Sequence, residues 1–146
     1  MDDEGKTIDI QEKITDFGQR ELGDVKVMMI EDDPFVTELV LHKLSKQGCI
    51  PYSIANGNDV VNTAIQFQPD IIILDLMLPG AQGEDVLVTL KENEVLKDIP
   101  VIVFSNKSTP KDIDHCKALG ASEYFVKSST ELTDLAVVIK KLTKGD

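Results

Sequence analysis

Acidic, hydroxyl and ammonium side chains follow the short apolar runs of this sequence. The set comprises Glu31, Asp32 and Asp33 after the first run, Asp75 after the third, Ser105 and Asn106 after the fourth, and Lys127 after the fifth. Carboxylates that share one pocket repel each other unless a counter-ion is present. Mg²⁺ prefers oxygen ligands, whereas no histidine or thiol stands in the set to favour zinc. The set therefore predicts a magnesium-dependent site.

Asp75 is the best candidate for a nucleophile in this set. It is the lone acid after the most hydrophobic run, Ile71–Leu74, which would hold it rigidly. A carboxylate held against a divalent cation can attack phosphorus and form an aspartyl phosphate. Lys127 offers a positive charge and Ser105 a hydroxyl donor for a phosphoryl oxygen. We expect such a transfer to depend on positioning and charge neutralisation.

Each of these residues, taken alone, also has an ordinary structural interpretation. Asp33 precedes Pro34 and could be only a helix cap. Glu31 and Asp32 could form a solvated acidic turn, and Asp75 could be a simple turn residue. The functional interpretation depends on all members of the set following the correct strands in one chain.

Five apolar runs, rich in β-branched and aromatic residues, predict buried strands. They are Val25–Ile30, Ile50–Ile54, Ile71–Leu74, Val101–Phe104 and Tyr124–Val126. Segments with helical spacing lie between the runs, so strand and helix alternate strictly. This alternation predicts an α/β fold, a doubly wound three-layer sandwich around a parallel sheet. Ligands bind such sheets in the crevice at the carboxyl ends of the strands, which is where the chemical set falls.

Capping residues predict where several helices begin. Asp33 before Pro34 and Thr109 before Pro110 are typical of a cap followed by the first helical residue. For the last helix we expect a cap from Ser128 with Glu131, or alternatively from Thr130.

Residues 1–24 are predicted to be an acidic extension that precedes the domain formed by residues 25–146. The extension holds eight acidic and three basic residues. Asp9 and Glu12 form a plausible capping box ahead of an apolar stripe at Ile10, Ile14 and Phe17. The segment could be a docking helix, a remnant of a neighbouring domain or a frayed tail, of which we favour the last two.

Composition excludes several classes of partner. The net charge of −11, with no cluster of Lys or Arg, disfavours direct binding to nucleic acid. The longest apolar run, Leu135–Ile139, is far too short to cross a membrane. Cys49 and Cys116 lie far apart without metal-ligand spacing, so we expect two reduced, buried thiols in a cytoplasmic protein.

At this point the sequence resembles the receiver domain of two-component response regulators, including the stand-alone chemotaxis regulator. The similarity covers residues 25 to about 144 and is carried by four segments. They are VKVMMIEDDPFV, IIILDLMLPG with Gly83 shortly after it, PVIVFS and GASEYFVKS. Together these motifs are highly specific, although any single one is weak. The resemblance implies the flavodoxin-like receiver fold, a five-stranded parallel sheet of order 2-1-3-4-5.

The resemblance also implies a phosphorelay function. The Mg²⁺ ligands would be Asp32, Asp33, Asp75 and the backbone carbonyl of Met77. Asp75 would accept phosphate from the phosphohistidine of a sensor kinase or phosphotransfer protein. Ser105 would then swing toward the phosphoryl group and Tyr124 would turn inward, which would reshape the face built from the fourth helix, fifth strand and fifth helix. A downstream protein or a fused output domain would read that face, and the protein would catalyse only its own phosphorylation and dephosphorylation.

Two departures from the family pattern affect these expectations. Ser128 stands where the family usually has a proline with a cis bond, and a cis bond before a non-proline residue costs about 3 kcal/mol, so we expect a trans bond here. Met77 and Lys107 occupy two positions that usually influence phosphoryl lifetime. Neither side chain can readily orient an attacking water, so we expect slow self-dephosphorylation.

Three alternatives come from other classes of protein. A phosphatase of the haloacid-dehalogenase type needs a second acid two residues after the nucleophile, where this chain has Met77. A nucleotide-hydrolysing switch needs a glycine-rich P-loop, which the sequence lacks. A degenerate receiver that binds a protein partner without phosphorylation remains open because of Ser128.

Overall fold

Parallel strands alternate with helices throughout residues 21–145, the part of the chain that the computed structural model describes. The strands are β1 (Lys26–Ile30), β2 (Ile50–Ile54), β3 (Ile71–Leu74), β4 (Val101–Ser105) and β5 (Glu123–Val126). The helices are α1 (Pro34–Ser45), α2 (Val60–Phe67), α3 (Gly83–Glu92), α4 (Pro110–Ala118) and α5 (Leu132–Lys144). A small hairpin pairs Met77–Leu78 with Ala81–Gln82, and a 3₁₀ turn spans Lys127–Ser129. The predicted capping box at Asp9 and Glu12 lies outside the described residues.

The sheet has the strand order β2-β1-β3-β4-β5, with every neighbouring pair parallel. This confirms the predicted order 2-1-3-4-5 and the doubly wound fold. Ile30 at the end of β1 is in register with Leu74 at the end of β3, and the backbone N–H of Asp75 donates to the carbonyl of Ile30 at 3.0 Å. The register therefore brings the residues that follow β1 and β3 to the same edge of the sheet.

The core forms two apolar layers, one on each face of the sheet. Alternate residues of the central strands point to opposite faces, as the two-residue period of a strand requires. One face packs against α2, α3 and α4, and the other packs against α1 and α5. All four residues of β3 are fully buried between these two layers. Packing on both faces of β3 therefore fixes the position of Asp75, which follows the strand directly.

Leu22 extends the second apolar layer beyond the first strand. Its side chain is fully buried, in the cluster that contains Leu44 of α1 and Ile139 of α5. Its backbone N–H donates to the carbonyl of Gln47 at 2.9 Å. Residues before β1 therefore contribute to the core.

The predicted caps of α1 and α4 are confirmed. The carboxylate of Asp33 accepts from the N–H groups of Phe35 and Val36, and the hydroxyl of Thr109 accepts from that of Asp112 at 3.1 Å. The predicted cap of α5 was wrong, because the helix follows Glu131 without a side-chain cap. The Thr130 hydroxyl instead donates to the carbonyl of Val126, at 2.6 Å.

The described helices are short. The longest of them, α5, has 13 residues. Among residues 21–145 there is no helix with both the length and the apolar character needed to cross a membrane.

Both thiols should be unreactive in the folded protein. Cys49 and Cys116 are free and buried, as predicted, and burial raises the pKa of each to about 11. Because the thiolate is the reactive form, a native sample near pH 7.5 should scarcely react with a thiol-specific reagent such as Ellman's reagent. The same sample in denaturant should release two equivalents of chromophore. Rapid modification of either thiol under native conditions would contradict the buried placement.

Candidate functional site

Three carboxylates meet at the carboxyl ends of β1 and β3. Oxygen atoms of Glu31, Asp32 and Asp75 lie within 4.8 Å of one another. Glu31 and Asp75 are buried, whereas Asp32 is exposed. The cluster therefore has a buried floor and one acid that faces solvent.

Lys127 compensates the charge of the two buried acids. Its Nζ lies 3.1 Å from Oδ2 of Asp75 and 2.6 Å from Oε1 of Glu31. Burial alone would lower the pKa of Lys127, but the contact with Glu31 and the charges of Asp75 and Glu31 raise it above its ordinary value. Lys127 thus carries its positive charge at the centre of the acidic cluster.

The pKa of Glu31 is raised above its ordinary value in this environment. Burial is the main cause that raises its pKa, the charge of Asp75 adds to the increase, and Lys127 opposes it. The contact of Oε1 with Lys127 is an ion pair, since that buried oxygen has no hydrogen bond of good geometry. This ion pair compensates the charge of the buried Glu31 carboxylate.

Backbone contacts fix the acids. Oδ1 of Asp75 accepts from the N–H of Met77 at 3.2 Å, and Oε2 of Glu31 accepts from the N–H of Asp33 at 3.1 Å. Gly83 packs tightly against the segment that carries Asp75. A Cβ at this position would lie 2.3 Å from the Cα of Leu76 and 2.7 Å from the carbonyl oxygen of Asp75. Only glycine allows the first turn of α3 to pack this closely against the segment that carries Asp75.

Ser105 lies at the end of β4 and is fully buried. Its Oγ accepts from the backbone N–H of Lys107 at 3.3 Å, and the carbonyl of Lys107 accepts from the hydroxyl of Tyr124 at 2.6 Å. Tyr124 is half-buried, and burial is the main cause that raises its pKa to about 12. The two predicted switch residues are therefore connected through one backbone segment, while their predicted movements stay a prediction.

The Lys127–Ser128 bond is trans, as expected from the absence of proline. The backbone N–H of Ser128 donates to Oδ1 of Asn106 at 3.1 Å, which connects the loop after β5 to the loop after β4. The 3₁₀ turn that begins at Lys127 keeps its ammonium beside Asp75. Serine at this position is thus compatible with contact between the lysine and the acids.

Asp33 lies apart from the other predicted metal ligands. Its carboxylate accepts from Phe35 N–H at 2.9 Å as the cap of α1, because a capping carboxylate is directed at the helix N-terminus. The Asp33–Pro34 pair was the signal for this role. The acids whose oxygens lie together are Glu31, Asp32 and Asp75, and the metal role of Asp33 stays a prediction. The metal role of the Met77 carbonyl stays a prediction.

Comparison with known proteins agrees with this arrangement. Residues 27–140 match the family described as the response regulator receiver domain. The probable transcriptional regulator ycf29 of Pyropia yezoensis is 37% identical over 121 residues, which are 83% of this chain and 54% of that protein. This chain thus spans about half the length of that relative.

Two solved structures of response regulators share the fold. The phosphorylated cyanobacterial phytochrome response regulator RcpA is 28% identical with a TM-score of 0.69, over 82% of this chain and 91% of that one. The Mn²⁺-bound form of response regulator Rcp1 is 26% identical with a TM-score of 0.68, over 81% of this chain and 91% of that one. Since the family match covers most of the chain, the protein belongs to the response regulator receiver domain family.

Proposed function

We propose that this receiver domain accepts a phosphoryl group on Asp75 from the phosphohistidine of a sensor kinase or phosphotransfer protein. The observation that carries the proposal is the position of Lys127, whose ammonium contacts both Asp75 and Glu31 within 3.1 Å. A buried nucleophilic carboxylate beside a fixed cation is suited to receive a phosphoryl group, because the cation offsets charge on the transferred oxygens. That RcpA has been solved in a phosphorylated form supports the same chemistry here.

The proposed transfer exchanges one bond for another at phosphorus. A carboxylate oxygen of Asp75 attacks, an O–P bond forms, and the P–N bond to the donor imidazole breaks. The leaving nitrogen keeps the electron pair and is released as imidazole once protonated. The hydroxyl of Ser105 donates to a phosphoryl oxygen, and Lys127 remains beside Asp75 to balance the added negative charge.

The acidic cluster fits a hard divalent cation, for which we propose Mg²⁺. Its donors are the carboxylate oxygens of three acids, whose combined negative charge is not balanced by the single ammonium of Lys127. We assign Glu31, Asp32 and Asp75 to the ion. That Rcp1 has been solved in an Mn²⁺-bound form supports a divalent cation in this fold. When bound, such an ion neutralises charge on phosphoryl oxygens, which is a requirement of this class of transfer.

Phosphorylation would be read on the face formed by α4, β5 and α5. Ser105 and Tyr124 both contact Lys107, so a shift of the Ser105 hydroxyl toward phosphate would alter the acceptor of Tyr124. We propose that this shifts the population between two packings of the face. Its reader would be a downstream protein or an output domain of the complete protein.

Asp75→Asn should abolish phosphorylation. With Mg²⁺ and acetyl phosphate, intact-mass spectrometry should record one added phosphoryl group on the wild-type protein and none on the variant, because an amide is not a nucleophile for phosphorus. Asp114→Asn is the control, since Asp114 is an exposed acid of α4. Equal mass gain in Asp75→Asn and wild type would refute the proposal. No gain in either would favour the phosphorylation-independent binding module.

Substitutions at Asp32 and Asp33 should separate a metal ligand from a helix cap. We expect Asp32→Asn to weaken the affinity for Mg²⁺ at least about 10-fold, as measured by NMR titration, because a carboxylate ligand is lost. Asp33→Ala should keep the affinity and lose about 1 kcal/mol of unfolding free energy through the missing cap. Asp33→Ser, which retains a capping oxygen, should match the wild type in both measurements. Loss of Mg²⁺ binding in both Asp33 variants would return Asp33 to the ligand set.

The aspartyl phosphate should be long-lived. Met77 and Lys107 line one cleft together with Leu76, which follows Asp75, and the ammonium of Lys107 is held by Glu84 at 3.0 Å. Neither side chain can accept a proton from an attacking water. After removal of the phosphodonor, we expect the phosphorylated fraction to decay much more slowly than in Met77→Asn, whose amide can orient water. A wild-type half-life of seconds would contradict this expectation.

A further inference from the structure

Lys107 is the centre of a small network behind the acidic cluster. Its backbone N–H donates to Oγ of Ser105 and its carbonyl accepts from the hydroxyl of Tyr124. Its side chain forms an ion pair with Glu84 of α3, with 3.0 Å between Nζ and Oε2. One residue thus links both predicted switch residues to a different secondary-structure element.

Glu84 connects that network to the segment that carries Asp75. It is the second residue of α3, directly after Gly83, whose N–H donates to the carbonyl of Leu76 at 3.0 Å. The close packing of Gly83 against the backbone of Asp75 and Leu76 leaves this turn little room to shift. Glu84 therefore presents its carboxylate from a helix turn whose position is fixed by packing against the backbone of Asp75 and Leu76.

The Glu84–Lys107 pair differs from an ordinary surface ion pair. The Glu84 side chain is only 19% exposed, and its Oε1 is buried without a hydrogen-bond partner. Removing Lys107 would leave a largely buried carboxylate without compensation, which is costly, whereas exposed pairs contribute little. The pair between Glu94 and Lys97 is such an exposed one, at 3.2 Å with side chains 87% and 45% exposed.

We propose that Glu84 is a positioning residue for the phosphorylation switch. Through its ion pair it anchors Lys107, and through the backbone of Lys107 it sets the hydroxyl of Ser105 and the acceptor of Tyr124. The inference rests on the proposed function of Asp75 as phosphoacceptor. It adds a connection between the first turn of α3 and the loop after β4 that does not pass through the phosphoryl group.

The first measurement requires no phosphorylation. The Lys107 amide proton, which is bonded to Ser105, should exchange with solvent several-fold faster in Glu84→Gln than in wild type, because the segment loses its anchor. Glu94→Gln, which breaks the exposed pair, should leave that exchange rate unchanged. Equal exchange at Lys107 in Glu84→Gln and wild type would overturn the proposal. Glu84→Gln could also lower overall stability, so a second variant is needed. Glu84→Asp keeps the negative charge but has a shorter side chain. Its amide exchange rate at Lys107 should lie between those of wild type and Glu84→Gln, while its melting temperature stays unchanged.

The second measurement is the affinity for beryllofluoride in the presence of Mg²⁺, followed by NMR. Glu84→Gln and Lys107→Glu should each weaken it at least about 5-fold, the lower end of ordinary coupling between sites. The double variant with Glu84→Lys and Lys107→Glu should recover to within about 2-fold of wild type, because the pair is restored with reversed charges. Failure of this recovery, with Lys107→Glu still weak, would show that the charge of Lys107 acts directly on the phosphoryl group and would overturn the proposal.

The two measurements separate this proposal from the one on which it rests. If beryllofluoride failed to bind the wild-type protein, or bound equally well to Asp75→Asn, the proposed phosphoacceptor function would be wrong. Amide exchange at Lys107 would still decide the role of Glu84. Faster exchange in Glu84→Gln would support the anchor, and an unchanged rate would reject it.

Discussion

The charge balance around Lys127 is the constraint on which the rest of the site depends. Parallel strands end at one edge of a sheet, so the register of β1 with β3 forces Glu31 and Asp75 together in a buried place. Two buried carboxylates repel each other, and a single ammonium compensates both. Buried ion pairs are weak contributors to stability. Under the proposed function, the arrangement prepares the site for an incoming phosphoryl group and cation, and it contributes little to holding the fold.

Around this centre, rigid and adjustable parts are separated. The floor consists of β3, which is buried on both faces, and of the backbone contact between Gly83 and Leu76. The part that we propose to be adjustable is the loop after β4, where hydrogen bonds of Ser105 and Tyr124 meet at Lys107. A nucleophile needs a fixed position, whereas a switch needs alternatives of similar free energy. The sheet supplies the first and the loop can supply the second.

Much of the fold followed from pattern, because strand and helix periods and caps are local properties. The bounds of β2 and β3 and the caps of α1 and α4 agree with these predictions. The sheet order is not a local property, and it agrees with what the resemblance to receiver domains implied. Two features of the site did not follow. Three successive acids cannot be ranked by type alone, so the sequence did not show that Glu31 lies beside Asp32 and Asp75 while Asp33 caps α1. The contact of Glu84 with Lys107 joins residues 23 positions apart, and no local signal marks it.

Leu22 has a practical consequence for work on this domain. The family match begins at residue 27, and the first strand begins at Lys26. A recombinant fragment trimmed to either boundary would lose the Leu22 side chain and leave a cavity between α1 and α5. Cavities of this kind cost about 3 kcal/mol, a large part of the stability of a small domain. A truncated version could therefore lose its structure for reasons unrelated to phosphorylation. A fragment that keeps Leu22 and the ion pair of Glu21 with Lys140 of α5, at 2.7 Å, begins no later than Glu21.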